Sequence, residues 1–562
     1  MKHSRRQFLL RSSLGTLAGL YRPLGSSAIT ALLLDESPNP LRFPTQYQKG
    51  SVTVSESDIP VWPDTTSRRI TLDNTPLLCF EFEHGSDVDI PFSNNYASPI
   101  SIHWHGLDVP AEMDGHPKDA FSSGTTRNYA FKVRNRAGLY FCHSHSHMAT
   151  ASEVYRGLVG MVIVRDAEER ALGLPTGEYE LPLLIQDVRV DTSGRIVYSP
   201  TMNDMMNGWM GNRVLVNGLP NTYHNVKKAT YRLRILNSSN ARMYLLEFSN
   251  KQSFTIIGTD GGILEQPIEV TSVQLAPAER IDILVDFSSA ADDSIVKLVS
   301  APYTAPVEMM SPVYPQGLAL DIMGFRVSSL TGPTYSAPSR LCTFPSIPDT
   351  SSMPVRTVSL AMTRGMGMGM RPTLNGKTYD INRVDFEVAA GSYEIWEFRN
   401  QEAGMFHPMH IHGRQFRVLS RSGSPLLPTD KGLKDTVYVG PSQVVRVVVQ
   451  HSDYEGLFLY HCHNLEHEDE GMMQNYVLQK PTSINEDGDI QFGVFPNPAD
   501  ISFSIRSNRP VIDNLRIFDM HGSLVREMRH VQPGIAITVE DLPAGRYVIS
   551  CNNVSTELLI RR

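Results

Sequence analysis

One stretch, His461-Cys462-His463-Asn464-Leu465-Glu466-His467-Glu468-Asp469-Glu470-Gly471-Met472, constrains the fold of this chain more than any other. The run before it, Gly456-Leu457-Phe458-Leu459-Tyr460, is apolar and aromatic and predicts a buried strand. Side chains alternate faces along a strand, so Cys462 points one way while His461 and His463 point the other. One segment can therefore feed two metal sites joined through the backbone of a single residue. His467 and Met472 come within reach of Cys462 if the chain loops back. A thiolate, two imidazoles and a weak thioether make a trigonal blue-copper electron-transfer site.

The second imidazole is expected upstream, at His407 in His407-Pro408-Met409-His410-Ile411-His412-Gly413. His410 and His412 form an i, i+2 pair on one strand face, as do His461 and His463. Two further pairs stand near the N-terminus, His103-Trp104-His105-Gly106 and His143-Ser144-His145. Eight imidazoles of this kind suit three copper ions, two with three nitrogens each and one with two nitrogens plus water.

These four motifs, in this order over roughly residues 45–480, resemble the multicopper oxidase family, which includes laccases and copper-efflux oxidases. The resemblance implies an all-β fold of three cupredoxin-like Greek-key β-sandwich domains. It implies that His407, Cys462, His467 and Met472 hold the blue copper. It further implies that His105, His143, His145, His412, His461 and His463 hold a binuclear pair, and that His103 and His410 hold the remaining ion. The implied reaction is one-electron oxidation of a phenolic reductant or Cu(I), coupled to four-electron reduction of O2 to water. Asp114 and Glu468 stand where family members carry acids near the cluster. For Asp114-Gly115 a plain turn is the alternative; for Glu468, within Glu466-His467-Glu468-Asp469-Glu470, it is a solvated acidic face.

An internal repeat divides the chain. Gly138-Leu139-Tyr140-Phe141-Cys142-His143-Ser144-His145 matches Gly456-Leu457-Phe458-Leu459-Tyr460-His461-Cys462-His463, with Ser144 in the place of Cys462. The first copy thus serves only the shared cluster, and its frame leaves His147 outside the ligand set. Domains are expected at 45–165, 180–330 and 355–480, with Asp166–Leu181 as a linker and Thr331–Pro354 as a second connection. The middle domain has no His-X-His pair and is expected to act as a spacer. Its runs Tyr231–Leu236 and Ile281–Phe287 read as half-buried strands.

A length of 562 residues exceeds one core, and a net charge of −8 without a basic run argues against nucleic acid. Residues 1–34, with Ser4-Arg5-Arg6-Gln7-Phe8-Leu9-Leu10, resemble a twin-arginine export signal, and no later apolar run is long enough to span a bilayer. Residues 485–562, opening with Pro496-Asn497-Pro498-Ala499 and closing with Leu542-Pro543-Ala544-Gly545-Arg546-Tyr547, resemble the type IX secretion C-terminal sorting domain, a small immunoglobulin-like β-sandwich. Both resemblances imply export machinery as partners and a periplasmic, surface or secreted location. With Cys462 given to metal, Cys79, Cys142, Cys342 and Cys551 remain, and an exported protein could pair some of them.

Methionines cluster at Met202, Met205, Met206 and Met210 and again at Met362, Met366, Met368 and Met370. Thioethers select Cu(I); adaptable loop packing is the plainer use. Met366, Met368, Met370 and Met405 are the substrate-site candidates. Met405 matches a substrate-copper ligand of the efflux oxidases, whereas Ala403 stands where those enzymes have an aspartate. A dedicated cuprous oxidase is the alternative function. A copper nitrite reductase would lack the eight-histidine set, and a copper-free scaffold on this fold would have lost ligands.

Overall fold

The computed structural model describes residues 38–561 apart from 63–64, 306–313, 365–368, 481, 484–491, 508–509 and 552–553. The export signal expected in residues 1–34, together with Met366 and Met368, lies outside the described residues. Among the described residues, alternating apolar runs punctuated by Gly, Asn and Asp turns fold into eight sheets, which enclose four main apolar cores.

The first core lies between a five-stranded sheet, in the order Thr45–Gln46, Leu78–Glu83, Val159–Arg165, Gly138–Ser144, Ile102–His105, and a four-stranded one. Trp104 fills it, edge-on to Phe80, Phe92 and Tyr129. The third core repeats the plan: Phe386–Ala389, Met473–Gln479, Gly456–Cys462, His407–Ile411 and Thr436–Val439 form its five-stranded sheet. In both sheets the histidine motifs sit on an antiparallel pair. His103 stands opposite His143, and His410 stands opposite His461 with Met409 opposite Cys462. The repeat in sequence is therefore a repeat of register.

The middle core lies between an eight-stranded and a six-stranded sheet. Its strands Thr230–Asn237 and Arg280–Asp286, expected to be half-buried, are buried almost throughout. The face that reads as polar carries Arg232 and Arg234, and both are neutralised inside the protein. Arg232 donates to Asp282 at 2.9 Å and lies 2.8 Å from Glu169, while Arg234 reaches Glu180 at 2.5 Å. Glu169 and Glu180 come from the segment expected to be a linker, which instead forms the helix Ala167–Ala171, the 3-10 turn Gly177–Tyr179 and the start of the strand Glu180–Val190.

The last core belongs to two four-stranded sheets built from Thr482–Ser483 onward. Its Asp519–Gly522 turn closes through Asp519, whose carboxylate accepts the amides of His521 and Ser523 at 2.8 and 2.9 Å. All five cysteines are buried free thiols, so the pairing considered for Cys79, Cys142, Cys342 and Cys551 is not formed. No helix among the described residues is long and apolar enough to cross a membrane.

Candidate metal centre

Four imidazoles from the first sandwich and four from the third converge on one another, and all eight are buried. Ring nitrogens meet in three groups. His103 Nε2 faces His410 Nε2 at 3.4 Å. His105 Nδ1 faces His143 Nε2 at 3.4 Å, and the His463 ring lies 5.0 and 5.3 Å from theirs, centre to centre. His461 Nε2 faces His145 Nε2 at 3.3 Å and His412 Nε2 at 3.2 Å.

The other nitrogen of most of these rings is already committed. Nδ1 of His103 donates to Asp114 O at 2.6 Å, Nδ1 of His143 to Ser144 O at 2.7 Å and Nδ1 of His410 to Asp435 O at 2.8 Å. His412 Nδ1 donates to Asp114 Oδ2 at 2.6 Å, and His461 Nδ1 to Cys462 O at 3.2 Å. The inward nitrogens are therefore lone pairs pointed at lone pairs. Such a set repels itself unless a cation lies between. Burial first and neighbouring imidazoles second hold His105, His143, His145, His410, His412 and His463 well below the usual histidine range, which disfavours protons on those six rings. Two nitrogens each about 2 Å from one ion stand about 3.3 Å apart at a tetrahedral angle, which matches these spacings. Both ring nitrogens of His463 are buried without a partner, a further mark of a metal ligand. The residues present fit copper.

A second site lies on the opposite face of the strand Gly456–Cys462. Cys462 Sγ is 3.5 Å from His407 Nδ1 and 3.8 Å from His467 Nδ1. The chain returns through the helix Leu465–Asp469, and Met472 is locked beside Cys462 by its backbone: its N donates to His467 O at 2.8 Å, and its carbonyl accepts Cys462 N at 3.0 Å. His467 Nε2 donates to Met206 O at 3.1 Å, which leaves Nδ1 free to face the sulfur. Burial holds His467 at about 4 and pushes the Cys462 thiol up, against the Asn464 amide that donates to it. A buried thiolate needs a cation, and a soft one suits sulfur.

Family models described as multicopper oxidase match residues 57–169, 189–297 and 351–481. The laccase of Bacillus subtilis is 33% identical over 417 residues, covering 68% of this chain and 80% of its own length. This chain belongs to the multicopper oxidase family. A multicopper oxidase is a copper-dependent oxidoreductase with O2 as acceptor. The crystal structure of the McoA multicopper oxidase from Aquifex aeolicus superposes with a TM-score of 0.72 at 38% identity, covering 79% of this chain and 100% of that one. Another relative, the cell division protein FtsP of Photorhabdus laumondii, is 33% identical over 397 residues, 70% of this chain and 80% of its own. Residues 493–561 match a secretion system C-terminal sorting domain.

In this multicopper oxidase the two candidate acids are buried against the cluster. Asp114 ends the 3-10 turn Ala111–Met113, as a plain turn would, yet its carboxylate holds His412 and its carbonyl holds His103. Glu468 Oε2 lies 3.1 Å from His461 Nδ1, and Oε1 lies 3.5 Å from His145 Nδ1. The acidic run is not a solvated face, because Glu466 and Glu468 sit inside the molecule. His147 is exposed, clear of the cluster, against Tyr379. Ser144, in the place of Cys462, hydrogen-bonds Glu153.

Around the thiolate site the helix Met202–Asn207 packs against both the helix Leu465–Asp469 and the strand Met370–Leu374. Met362 and Met405 are buried and Met370 is half-buried, while Met202 is exposed. Ala403 is exposed, but its neighbour Glu402 accepts the Met362 amide at 2.7 Å.

Sequence reasoning missed Asp435, Arg280, Glu466 and the Met206 carbonyl. The pair Lys434-Asp435, directly before the run Thr436-Val437-Tyr438-Val439, was the available signal for Asp435. Glu466 offered none. It joins sandwiches by accepting Trp209 N at 2.9 Å, Tyr198 OH at 2.9 Å and Asn240 Nδ2 at 2.7 Å. The middle sandwich is thus more than a spacer.

Proposed function

We propose that this multicopper oxidase holds four copper ions and takes single electrons from phenolic reductants and from Cu(I). In this reading His407, Cys462, His467 and Met472 hold the blue ion. His105, His143 and His463 hold one ion of the pair, His145, His412 and His461 hold the other, and His103 with His410 hold the last. The observation that carries it is the set of facing, buried ring nitrogens spaced at 3.2–3.4 Å. A nitrite reductase or copper-free scaffold has no use for eight such rings.

When bound, copper supplies one-electron transfer at the thiolate site and O2 reduction at the cluster. The protein supplies the rest. Cys462 lies between His461 and His463, so backbone and side-chain bonds join the two sites without a gap. Buried apolar neighbours in the third core keep water from the thiolate. Asp114 orients the His412 and His103 rings, and both Asp114 and Glu468 stand ready to pass protons to the oxygen side. Cys462→Ser should abolish the blue band and nearly all oxidase activity while the other copper stays bound; a variant that remained blue would overturn the assignment.

Cu(I) as a second substrate is supported by the buried Met362 and Met405 and by the carboxylate of Glu402, which accepts the Met362 amide and offers an oxygen that Ala403 does not. Replacing Met366, Met368, Met370 and Met405 together by leucine should lower Cu(I) turnover several-fold and spare phenolic dyes, as measured by oxygen uptake. Equal loss on both substrates would show that the methionines only pack. Export through the tail is the matching cellular reading, with a twin-arginine signal at residues 1–34 and a periplasmic, surface or secreted destination.

A further inference from the structure

His105 is the exception among the cluster histidines. It turns Nδ1 inward and commits Nε2 outward, to Asp435 Oδ1 at 3.0 Å and Thr436 Oγ1 at 3.2 Å. The backbone carbonyl of the same Asp435 accepts His410 Nδ1 at 2.8 Å. One residue outside all four motifs therefore touches a ring from each of two nitrogen groups.

Asp435 is itself held. Arg280 grips both carboxylate oxygens at 2.6 Å, and the same guanidinium donates through Nε to Leu139 O at 3.1 Å. His105 and Leu139 belong to the first sandwich, Arg280 to the second and Asp435 to the third. Asp260, Glu279 and Lys434 complete the cluster, with Lys434 Nζ 2.9 Å from Asp260 and 3.1 Å from Glu279. Three carboxylates (Asp260, Glu279, Asp435) face two cations (Arg280, Lys434), and none of the five is more than 4% exposed. Gly106 makes the approach possible: a Cβ there would stand 2.4 Å from Asp435 Oδ2 and 2.8 Å from Arg280 Nη2.

We propose that Asp435, clamped by Arg280, is the positioning residue that fixes His105 as an Nδ1 ligand and His410 as an Nε2 ligand, so that the cluster accepts metal only when all three sandwiches are docked. The inference rests on the copper reading above. Its logic is tautomeric. A carboxylate accepts only, so His105 must carry its proton on Nε2 and present Nδ1 as a lone pair. In Asp435→Asn the two Arg280 donors claim the single amide oxygen, and the amide NH2 turns toward His105. The ring then accepts at Nε2 and carries its proton on Nδ1, where the metal should be.

The test is copper counting on purified protein. Asp435→Asn should retain non-blue copper about 10- to 100-fold less tightly against a chelator, and the paramagnetic signal of the solitary ion should weaken, while the blue absorbance persists. Asp260→Asn disturbs the same charge cluster without touching an imidazole and should keep its non-blue copper. Wild-type retention in Asp435→Asn would overturn the proposal. So would equal copper loss in both variants with equal falls in melting temperature, since the cluster would then act only as structural support. A wild-type protein without blue absorbance or bound copper would instead strike the copper reading itself.

Discussion

Glu468 reaches toward His461 and His145, yet neither of its carboxylate oxygens completes a hydrogen bond to a protein group. A buried acceptor left open in this way can take and release a proton without breaking structure. Glu468→Gln should therefore lower steady-state oxygen reduction about 100-fold while leaving anaerobic bleaching of the blue band by reductant unchanged; stopped-flow absorbance separates the two steps. Loss of both would assign Glu468 a structural role. The candidate ligands were legible in the sequence because their chemistry is local: His-X-His on a strand fixes a face, and Cys462, His467 and Met472 lie within one return of the chain. Asp435 and Arg280 were not, since they are 155 residues apart and meet only through docking of separate sandwiches.

The strands were readable from alternation, and Gly456–Cys462 lies where the apolar run predicts it. Burial on both faces was not readable where the polar face carries arginines. Arg232 and Arg234 look like solvent-facing residues, but Glu169 and Glu180 arrive from the preceding segment to pair with them. Burial pulls the Glu180 carboxyl upward, yet Arg234, Arg165 and Arg232 outweigh it and hold the group at about 2. Arg234→Met should leave that charge without its main partner and destabilise the protein by about 3 kcal/mol, measured by denaturant unfolding. The helix Leu465–Asp469 is a short element that sequence periodicity cannot resolve, and its position depends on Asn240 and Trp209 of the middle sandwich.

At the scale of the molecule, the tail has its own core and two sheets of its own. Truncation after Ser483 should leave copper content and oxidase activity intact and alter the final location of the protein, as fractionation would show. Unfolding or copper loss on truncation would make the tail structural. Acid should weaken the copper-free oxidase in a defined direction. An unfolded histidine titrates near about 6.5, whereas folded His467 is held at about 4 by burial. Between those values the unfolded chain binds protons that the folded chain refuses. Stability is complete above about pH 6.5 and declines as pH falls toward 4, which melting temperatures across that range would register.

The eight cluster imidazoles are shared equally between two sandwiches separated by more than 250 residues of chain, from His145 to His410. No half of the set can hold an ion in the geometry of the whole, so the cluster has no partial form during synthesis. In the proposed ligand set every ion draws on both sandwiches, so the cluster loads only after the third sandwich has folded against the first. Where the last sandwich closes, inside the cell or beyond the membrane, is where the enzyme acquires its copper, and the metal content of the intracellular precursor is a direct record of that place.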